Sequence, residues 1–170
     1  EPLGGPGDKV FPPTYAVSND AEPRYAIERR RLPDGGTSVT SVVLDSVASQ
    51  ANRAELALLA AIRGGEARLP LTSADFRVFD DLVGYDRISD LEAPHRIFDA
   101  ILRDSLHGEV LFRFGPVGRA VTEATPRNAT ALLHHAPAAL VFGAWDSTGP
   151  RGGRGAKYER AWTSEIVAFD

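Results

Sequence analysis

Residues 37–65 constrain the fold most, because a strand signal in this stretch is followed at once by a helix signal. Residues 37–44 are β-branched and apolar, which is typical of a strand. Leu56, Leu59 and Ile62 recur at spacings of three, so residues 47–63 are predicted to form a helix with one apolar side. Ser46 or Ser49 is a suitable N-cap residue, and the Gly-Gly pair at 64–65 ends the helix.

The remaining elements are assigned from apolar spacing and turn signals. We predict an irregular lead-in over residues 1–16, helices over 94–105 and 128–135, and strands over 109–114, 138–145 and 161–169. Residues 66–93, with short strand-like pieces such as 76–79, fit an insertion. The order of these elements predicts an α+β or α/β fold with a mixed sheet.

Composition bounds the class of protein. The chain has 170 residues, of which 43% are hydrophobic and 25% charged, enough for one soluble globular domain with a core. Its longest apolar stretch, residues 136–145, is far too short to cross a membrane, and residues 1–5 do not resemble a secretory signal. The absence of cysteine excludes disulfides and thiolate zinc sites and fits a reducing cytoplasm, where we expect the protein to act.

The ends of the chain suggest a fragment. It contains no methionine, and it stops directly after the predicted last strand, whose backbone needs pairing partners. We therefore expect sequence to be missing on at least one side.

Charge is unevenly distributed along the chain. The net charge of −4 argues mildly against a nucleic-acid partner. Residues 24–31 nevertheless hold four arginines and one glutamate, and residues 151–160 hold three arginines and one lysine against one glutamate. A protein that binds phosphates needs only a local positive strip, although solvated surface charge is the simpler interpretation of each cluster.

Residues 45–53 combine features of an anion site. The predicted strand ends here and the helix begins, so unpaired backbone amides and the helix dipole favour an anion. Ser49, Asn52 and Arg53 are spaced to share one side of the helix, with Gln50 beside them. The alternative is that Ser46 and Ser49 only cap the helix while Arg53 is solvated.

Two further segments suit a nucleic acid. His95 and Arg96 stand at the start of the predicted second helix, which is otherwise an ordinary surface helix with an Asp99–Arg103 ion pair. Residues 149–157 form a Gly/Arg loop that lacks the phosphate-loop pattern, because Ala156 precedes Lys157. Arginine and glycine beside the next residue, a tyrosine, suit single-stranded nucleic acid, and a flexible surface loop is the alternative.

The signals for an enzyme are weak, and we expect no catalytic residue, metal or cofactor. There is no Gly-x-Ser-x-Gly motif. The adjacent histidines at 134 and 135 diverge on a helix, and His95 and His107 lack an acidic partner at ligand spacing. The aspartates at 80, 81, 86 and 90 are interpreted as a solvated loop.

The Ser49-Gln50-Ala51-Asn52-Arg53 run after a strand carries a resemblance to a known family. Together with residues 9–15, 92–105, 140–147 and 157–167, it makes the chain resemble the Cas seven backbone subunit of type I CRISPR surveillance complexes (Cascade), in the type I-G (formerly I-U) branch. The resemblance implies one incomplete domain over residues 1–170 with a modified RRM-like (ferredoxin-like) core and insertions. Members of the family are longer than this chain.

The resemblance also implies a function in antiviral defence. Copies of the subunit would form a homo-oligomeric filament along the CRISPR guide RNA, grip its backbone, and leave its bases to pair with target DNA, alongside other subunits of the complex and without catalysis. The residues expected to bind RNA are Lys9, Ser46, Ser49, Gln50, Asn52, Arg53, His95, Arg96, Arg154, Lys157, Arg160 and Ser164.

Two other functions stay open. One is an RNA-processing nuclease of related RRM-like fold that uses His95 or His107 as general acid or base. The other is a structural or peptide-binding domain without a nucleic-acid partner.

Overall fold

The computed structural model describes residues 4–5, 7–17, 23–31, 35–36, 38–79, 84, 86–149 and 156–169. The chain divides into two compact units. The first unit comprises Glu1–Ala51 and Ser164–Asp170, and the second comprises Asn52–Thr163. The prediction of a single domain with an insertion over residues 66–93 stays a prediction.

Strands and helices are interspersed along the described part of the chain. The strands are β1 (Ile27–Arg31), β2 (Ser38–Asp45), β3 (Ser73–Asp75), β4 (Arg87–Ser89), β5 (Leu106–His107), β6 (Val110–Leu111), β7 (Ala144–Trp145), β8 (Lys157–Tyr158) and β9 (Ile166–Phe169). The α-helices are α1 (Val47–Arg63), α2 (Ala100–Arg103), α3 (Pro116–Glu123), α4 (Thr130–His135) and α5 (Ala138–Val141). Short 3-10 helices span Arg96–Phe98 and Phe112–Phe114.

The first unit is built on a three-stranded antiparallel sheet in the order β1-β2-β9. Ile27 of β1 faces Val42 of β2, which in turn faces Ala168 of β9. Ser41 and Val43 are buried on one side of β2, at 1% and 6% exposure. Because side chains alternate along a strand, this register gives the sheet one covered face and one open face.

Helix α1 confirms the clearest sequence prediction, since it runs over Val47–Arg63. The Ser46 hydroxyl accepts a hydrogen bond from the Ser49 amide at 3.3 Å, as an N-cap side chain does. At the other end Gly65 has a φ of +79°, a conformation that glycine adopts without the steric cost of a Cβ.

The second unit packs short helices and two-stranded sheets around one apolar cluster. Ile97, Leu132 and Val121 are almost fully buried in it, at 1%, 0% and 2% exposure. Helix α3 lies against the 3-10 turn Phe112–Phe114, and a Cβ added to Gly118 would lie 1.8 Å from the Phe112 carbonyl oxygen. The close approach of these two segments therefore requires glycine at position 118.

The predicted helix over residues 94–105 is wrong as one continuous helix. A 3-10 turn over Arg96–Phe98 is separated from α2 by Asp99, whose backbone is extended with a ψ of 146°. Arg96 has a φ of 53°, the one positive value among the described residues other than glycine. Asp99 caps the start of α2, because its carboxylate accepts from the amides of His95 and Ile101.

The apolar run at 138–145 is not the predicted buried strand. It forms the short helix α5 and then β7, with Gly143 at a φ of 80° between them. Residues 76–79 form a turn and not a strand. Of the strand predicted over 109–114, only β6 forms before a 3-10 turn, and β9 covers only the end of the strand predicted over 161–169.

Several other predictions are confirmed. Strand β2 occupies the segment predicted as the first strand, and α4 lies within the predicted helix at 128–135. Helices together with antiparallel sheets confirm the α+β class, with which an RRM-like core is compatible. Across the described ranges, no helix combines the length and apolar character needed to cross a membrane.

Candidate nucleic-acid interface

An open groove of about 490 Å³ in the second unit brings together several of the residues predicted to bind RNA. His95 and Arg96 come from the turn before α2, and Lys157 and Arg160 come from β8 and the segment after it. Residues 95 and 160 are far apart in sequence, so only the fold joins them.

The β7–β8 pair sets a cation beside an aromatic ring. Trp145 faces Lys157 in the antiparallel register, and directly opposite side chains lie on the same face of such a pair. Trp145 is 53% exposed, and Lys157 is exposed as well. The next residue, Tyr158, is buried and stacks on Phe98 with ring centroids 6.3 Å apart, which anchors β8 to the core.

Arg96 forms part of the structure of the groove wall. Its Nε and Nη2 donate to the two carboxylate oxygens of Glu55 at 2.6 and 2.8 Å. Nη1 donates to the Gly143 carbonyl oxygen at 2.9 Å, and the guanidinium lies 5.8 Å from the centre of the Phe142 ring. The Arg96 side chain is 11% exposed, and burial raises the pKa of Glu55 despite this ion pair. Arg96 therefore holds the groove together while its charge is largely matched.

Gly143 allows the groove to close around Arg160. A Cβ at position 143 would lie 2.9 Å from Arg160 Cγ and 3.1 Å from the Tyr158 carbonyl oxygen. Phe142 meets Trp162 edge to face, with ring centroids 5.6 Å apart. The sequence prediction missed Trp145, Phe142 and Gly143 as site residues. The tryptophan before the Gly/Arg loop was the signal that could have found the first of them.

The start of α1 is a hydrogen-bonded corner in the first unit. Gln50 Nε2 donates to Asp45 Oδ2 at 2.6 Å, and the Ser164 hydroxyl donates to Gln50 Oε1 at 3.2 Å. Together with the Ser46 cap, these contacts fit the capping interpretation of the segment. Binding of RNA by Ser46, Ser49, Gln50 and Ser164 stays a prediction.

The remaining predicted residues lie elsewhere. Lys9 is exposed in an irregular segment of the first unit, and Asn52 and Arg53 are exposed on the part of α1 that belongs to the second unit. Arg154 lies outside the described residues, as does most of the Gly/Arg loop. RNA binding by these four residues stays a prediction.

Two electrostatic expectations are wrong. Arg103 donates to Asp104 and to the Thr148 hydroxyl and does not form the expected pair with Asp99. Asp90 is not in a solvated loop, since it has 0% exposure. Neither of its carboxylate oxygens has a hydrogen-bond partner within normal geometry. Burial raises the pKa of Asp90 to about 7, and the neighbouring charge of Glu55 adds to the effect.

The histidines are also dispersed. His95 lies in the groove, whereas His107 and His135 line a separate apolar cavity of about 720 Å³ in the second unit. Among the described residues, no three histidine or acidic side chains are arranged to hold a metal ion.

Comparison with known proteins identifies a family. The family model described as CRISPR-associated protein GSU0053 matches residues 1–170. Neither the curated proteins nor the solved structures include a match.

Proposed function

The chain belongs to the CRISPR-associated protein GSU0053 family, and from this premise we propose that it binds CRISPR guide RNA as the Cas seven backbone subunit of a type I-G surveillance complex. Membership of the family makes this a CRISPR-associated protein and supports a role in CRISPR defence. The type I-G assignment, the RRM-like core, the filament of copies and the company of other subunits rest on the sequence resemblance. The proposed role is binding without catalysis, in the cytoplasm.

The groove of the second unit is the observation that carries this proposal. Lys157, Arg160 and His95 supply cationic or hydrogen-bonding groups for phosphate oxygens. Trp145 supplies an exposed aromatic surface on the same side as Lys157. Single-stranded nucleic acids are bound by this combination of positive charge and an aromatic platform.

The same chemistry explains how a chain with a net charge of −4 can bind RNA. Affinity would come from a few phosphate contacts inside the groove and not from a generally basic surface. Phosphate contacts position a strand without reading its sequence. Recognition of target DNA would then depend on base pairing with the guide.

A salt titration with two matched double variants tests the proposal. We expect Lys157→Ala/Arg160→Ala to weaken binding of a labelled guide RNA and to flatten the slope of log K against log salt by about 1.4, from about 0.7 per phosphate contact. The control is Arg119→Ala/Arg127→Ala, which removes the same charge from exposed positions of the same unit. Equal binding by the two double variants would contradict the proposed site.

The aromatic contact has its own test. Trp145→Ala should weaken RNA binding by about 1–3 kcal/mol at every salt concentration, since stacking does not depend on counterions. Trp145→Phe keeps a ring and should retain most of the affinity. Identical loss in the two variants would argue against stacking on Trp145.

A nuclease remains the rival for the same groove, because Glu159 lines it together with His95. Incubation with labelled repeat RNA separates the two functions. Specific cleavage that is lost in His95→Ala would favour the nuclease over the binding subunit, and His107→Ala tests the other histidine. A protein that purifies without nucleic-acid absorbance would instead favour a structural or peptide-binding domain.

A further inference from the structure

The apolar cavity of about 720 Å³ in the second unit runs along one edge of β3. Every residue from 71 to 76 lines it, including all of β3, whereas no residue of β4 does. Side chains alternate between the two faces of a strand, so a cavity lined by consecutive residues borders the edge of that strand. Since β4 occupies one edge of β3, the cavity lies along the other.

The backbone of β3 offers hydrogen-bonding groups at this edge. On either side of β3, the Thr72 carbonyl oxygen and the Phe76 amide each form a hydrogen bond of 2.9 Å to residues next to β4. Bonded and non-bonded pairs alternate along an antiparallel ladder, so Ala74 is the residue that bonds to β4 between them. The amides and carbonyls of Ser73 and Asp75 therefore point away from β4. In the described part of the chain, no other strand joins this sheet to bind them.

A second strand edge lines the same cavity. Residues 104–107 all contribute to the lining, while neither residue of β6 does. His107 faces Val110 across a two-residue turn, and the Ser105 carbonyl oxygen accepts from the Phe112 amide at 2.7 Å. By the same alternation, the backbone groups of Leu106 between these pairs point away from β6.

We propose that this cavity is a docking site for an extended segment of a partner protein. The segment would add to the open edge of β3 as a further strand and insert alternate apolar side chains into the cavity. In this mode of recognition the backbone hydrogen bonds provide affinity and the pockets for side chains provide specificity. The site is separate from the groove proposed to bind RNA and does not depend on that function.

The lining of the cavity favours apolar side chains in the docked segment. Leu102 and Ala74 are buried within it, at 3% and 6% exposure. Val78, Phe79 and Leu106 also line it, yet they are 77%, 54% and 68% exposed. Large apolar side chains that are exposed together around a concave site are typical of surfaces that bind another protein.

Charge matching also favours an uncharged segment. No lysine or arginine is among the described residues that line the cavity, and its two carboxylates already have partners. Asp75 is paired with Arg77 and Arg87, and Asp104 is paired with Arg103. A charged side chain brought into this cavity would lose water without gaining a free partner. The complementary segment therefore has neutral side chains at the positions that enter the cavity.

The test measures binding of short peptides to the whole chain by fluorescence polarisation. The probes are three fluorescein-labelled heptapeptides in which threonine alternates with valine, leucine or phenylalanine. We expect at least one of them to bind. Two N-methylated counterparts, one methylated at the threonines and one at the apolar residues, each block one edge of the peptide. At least one counterpart should bind about five- to one-hundred-fold more weakly, because two backbone hydrogen bonds are lost.

Variants of the protein locate the contact. Ser73→Pro removes an amide that points to the cavity but leaves the ladder to β4, and it should weaken binding about fivefold or more, whereas Ser73→Ala should not. Leu106→Asp brings a charge to the rim and should weaken binding about tenfold or more. Its matched control is Leu133→Asp, at a position of the same unit that is 58% exposed and outside the cavity. Thermal unfolding checks that each variant is folded.

Each result bears on one part of the inference. Equal peptide binding by the wild type, Ser73→Pro and Leu106→Asp would overturn the site, and failure of all three peptides to bind would overturn the docking of a segment. Binding that N-methylation does not weaken would overturn strand addition. Self-association of the wild type that Ser73→Pro abolishes would make the occupant a second copy and overturn the assignment to another protein. Lys157→Ala/Arg160→Ala should bind the peptides like the wild type, so failure of the RNA-binding proposal is detected separately.

Discussion

The buried carboxyl group of Asp90 should make the stability of the folded protein depend on pH, and Asp90→Asn should remove that dependence. Asp90 has 0% exposure, and its pKa rises from the ordinary 3.8 to about 7 because burial disfavours the charged form. The nearby carboxylate of Glu55 adds to the effect. Asparagine has nearly the same shape and stays neutral.

The magnitude follows from the difference between the two pKa values. Between about pH 4 and pH 7 the folded protein keeps a proton on Asp90 that the unfolded chain releases, so the free energy of unfolding falls as pH rises through this window. A difference of about 3 pH units corresponds to about 4 kcal/mol. We expect the two proteins to differ little in pH dependence below pH 4, and Asp90→Asn to gain up to about 4 kcal/mol relative to wild type by pH 8.

Urea unfolding at pH 4.5, 6 and 8, followed by tryptophan fluorescence, measures the difference directly. Titrating groups that do not interact with Asp90 are common to both proteins and cancel when the two free energies are subtracted, and a change at Glu55 is part of the same effect because its charge interacts with Asp90. A difference that stays constant from pH 4.5 to pH 8 would refute the reasoning. The reasoning would also be refuted if Asp90→Asn lowered the free energy of unfolding more at pH 8 than at pH 4.5.

Variants at three other positions test the packing and electrostatics of the second unit. Arg96→Ala should lower the free energy of unfolding by urea by about 3–5 kcal/mol, because it leaves the buried Glu55 carboxylate unpaired. Arg96→Gly should cost about 0.5–1 kcal/mol less than Arg96→Ala, since φ is positive at this position and glycine adopts such a φ without strain. Equal costs in the two variants would argue against backbone strain at Arg96. Gly118→Ala should lower stability by at least about 2 kcal/mol, because its Cβ would meet the Phe112 carbonyl oxygen, and a neutral result would contradict this packing. Glu92→Gln should show the opposite pH dependence to Asp90→Asn. Burial raises the pKa of Glu92, but hydrogen bonds from its neighbours lower it by more, so the cost of the variant, about 1–3 kcal/mol, should shrink as pH falls below about 4.5. A cost independent of pH would contradict it.

Local sequence signals were sufficient to predict the elements whose apolar residues recur with a clear period. Helix α1 was predicted to the residue, because Leu56, Leu59 and Ile62 mark its apolar side and Gly64-Gly65 ends it. Strand β2 follows from a β-branched run. The secondary structure of these segments is set by neighbours within a few positions, so no distant contact was needed to predict it.

Apolar runs without a clear period were misassigned for a physical reason. A continuous apolar run such as residues 138–145 fits either a buried strand or a buried helix, and periodicity alone does not distinguish the two. The break in the predicted helix at 94–105 depends on Arg96, whose guanidinium is held by Glu55 and by the Gly143 carbonyl oxygen. Both partners are more than forty positions away in sequence, and a local pattern carries no information about them.

For the candidate sites, too, one part could be predicted from the sequence and another part depended on the tertiary structure. The sequence by itself determined which residue types are present: basic residues at 95–96, 151–160 and 24–31, and no cysteine. Only the tertiary structure decided which of these charges remain available. It pairs Arg96 with Glu55 and Arg30 with Glu165, and it places Trp145 opposite Lys157. The cause is register and long-range packing, because a side chain's charge is fixed by its identity but its partners are fixed by which strands and helices meet.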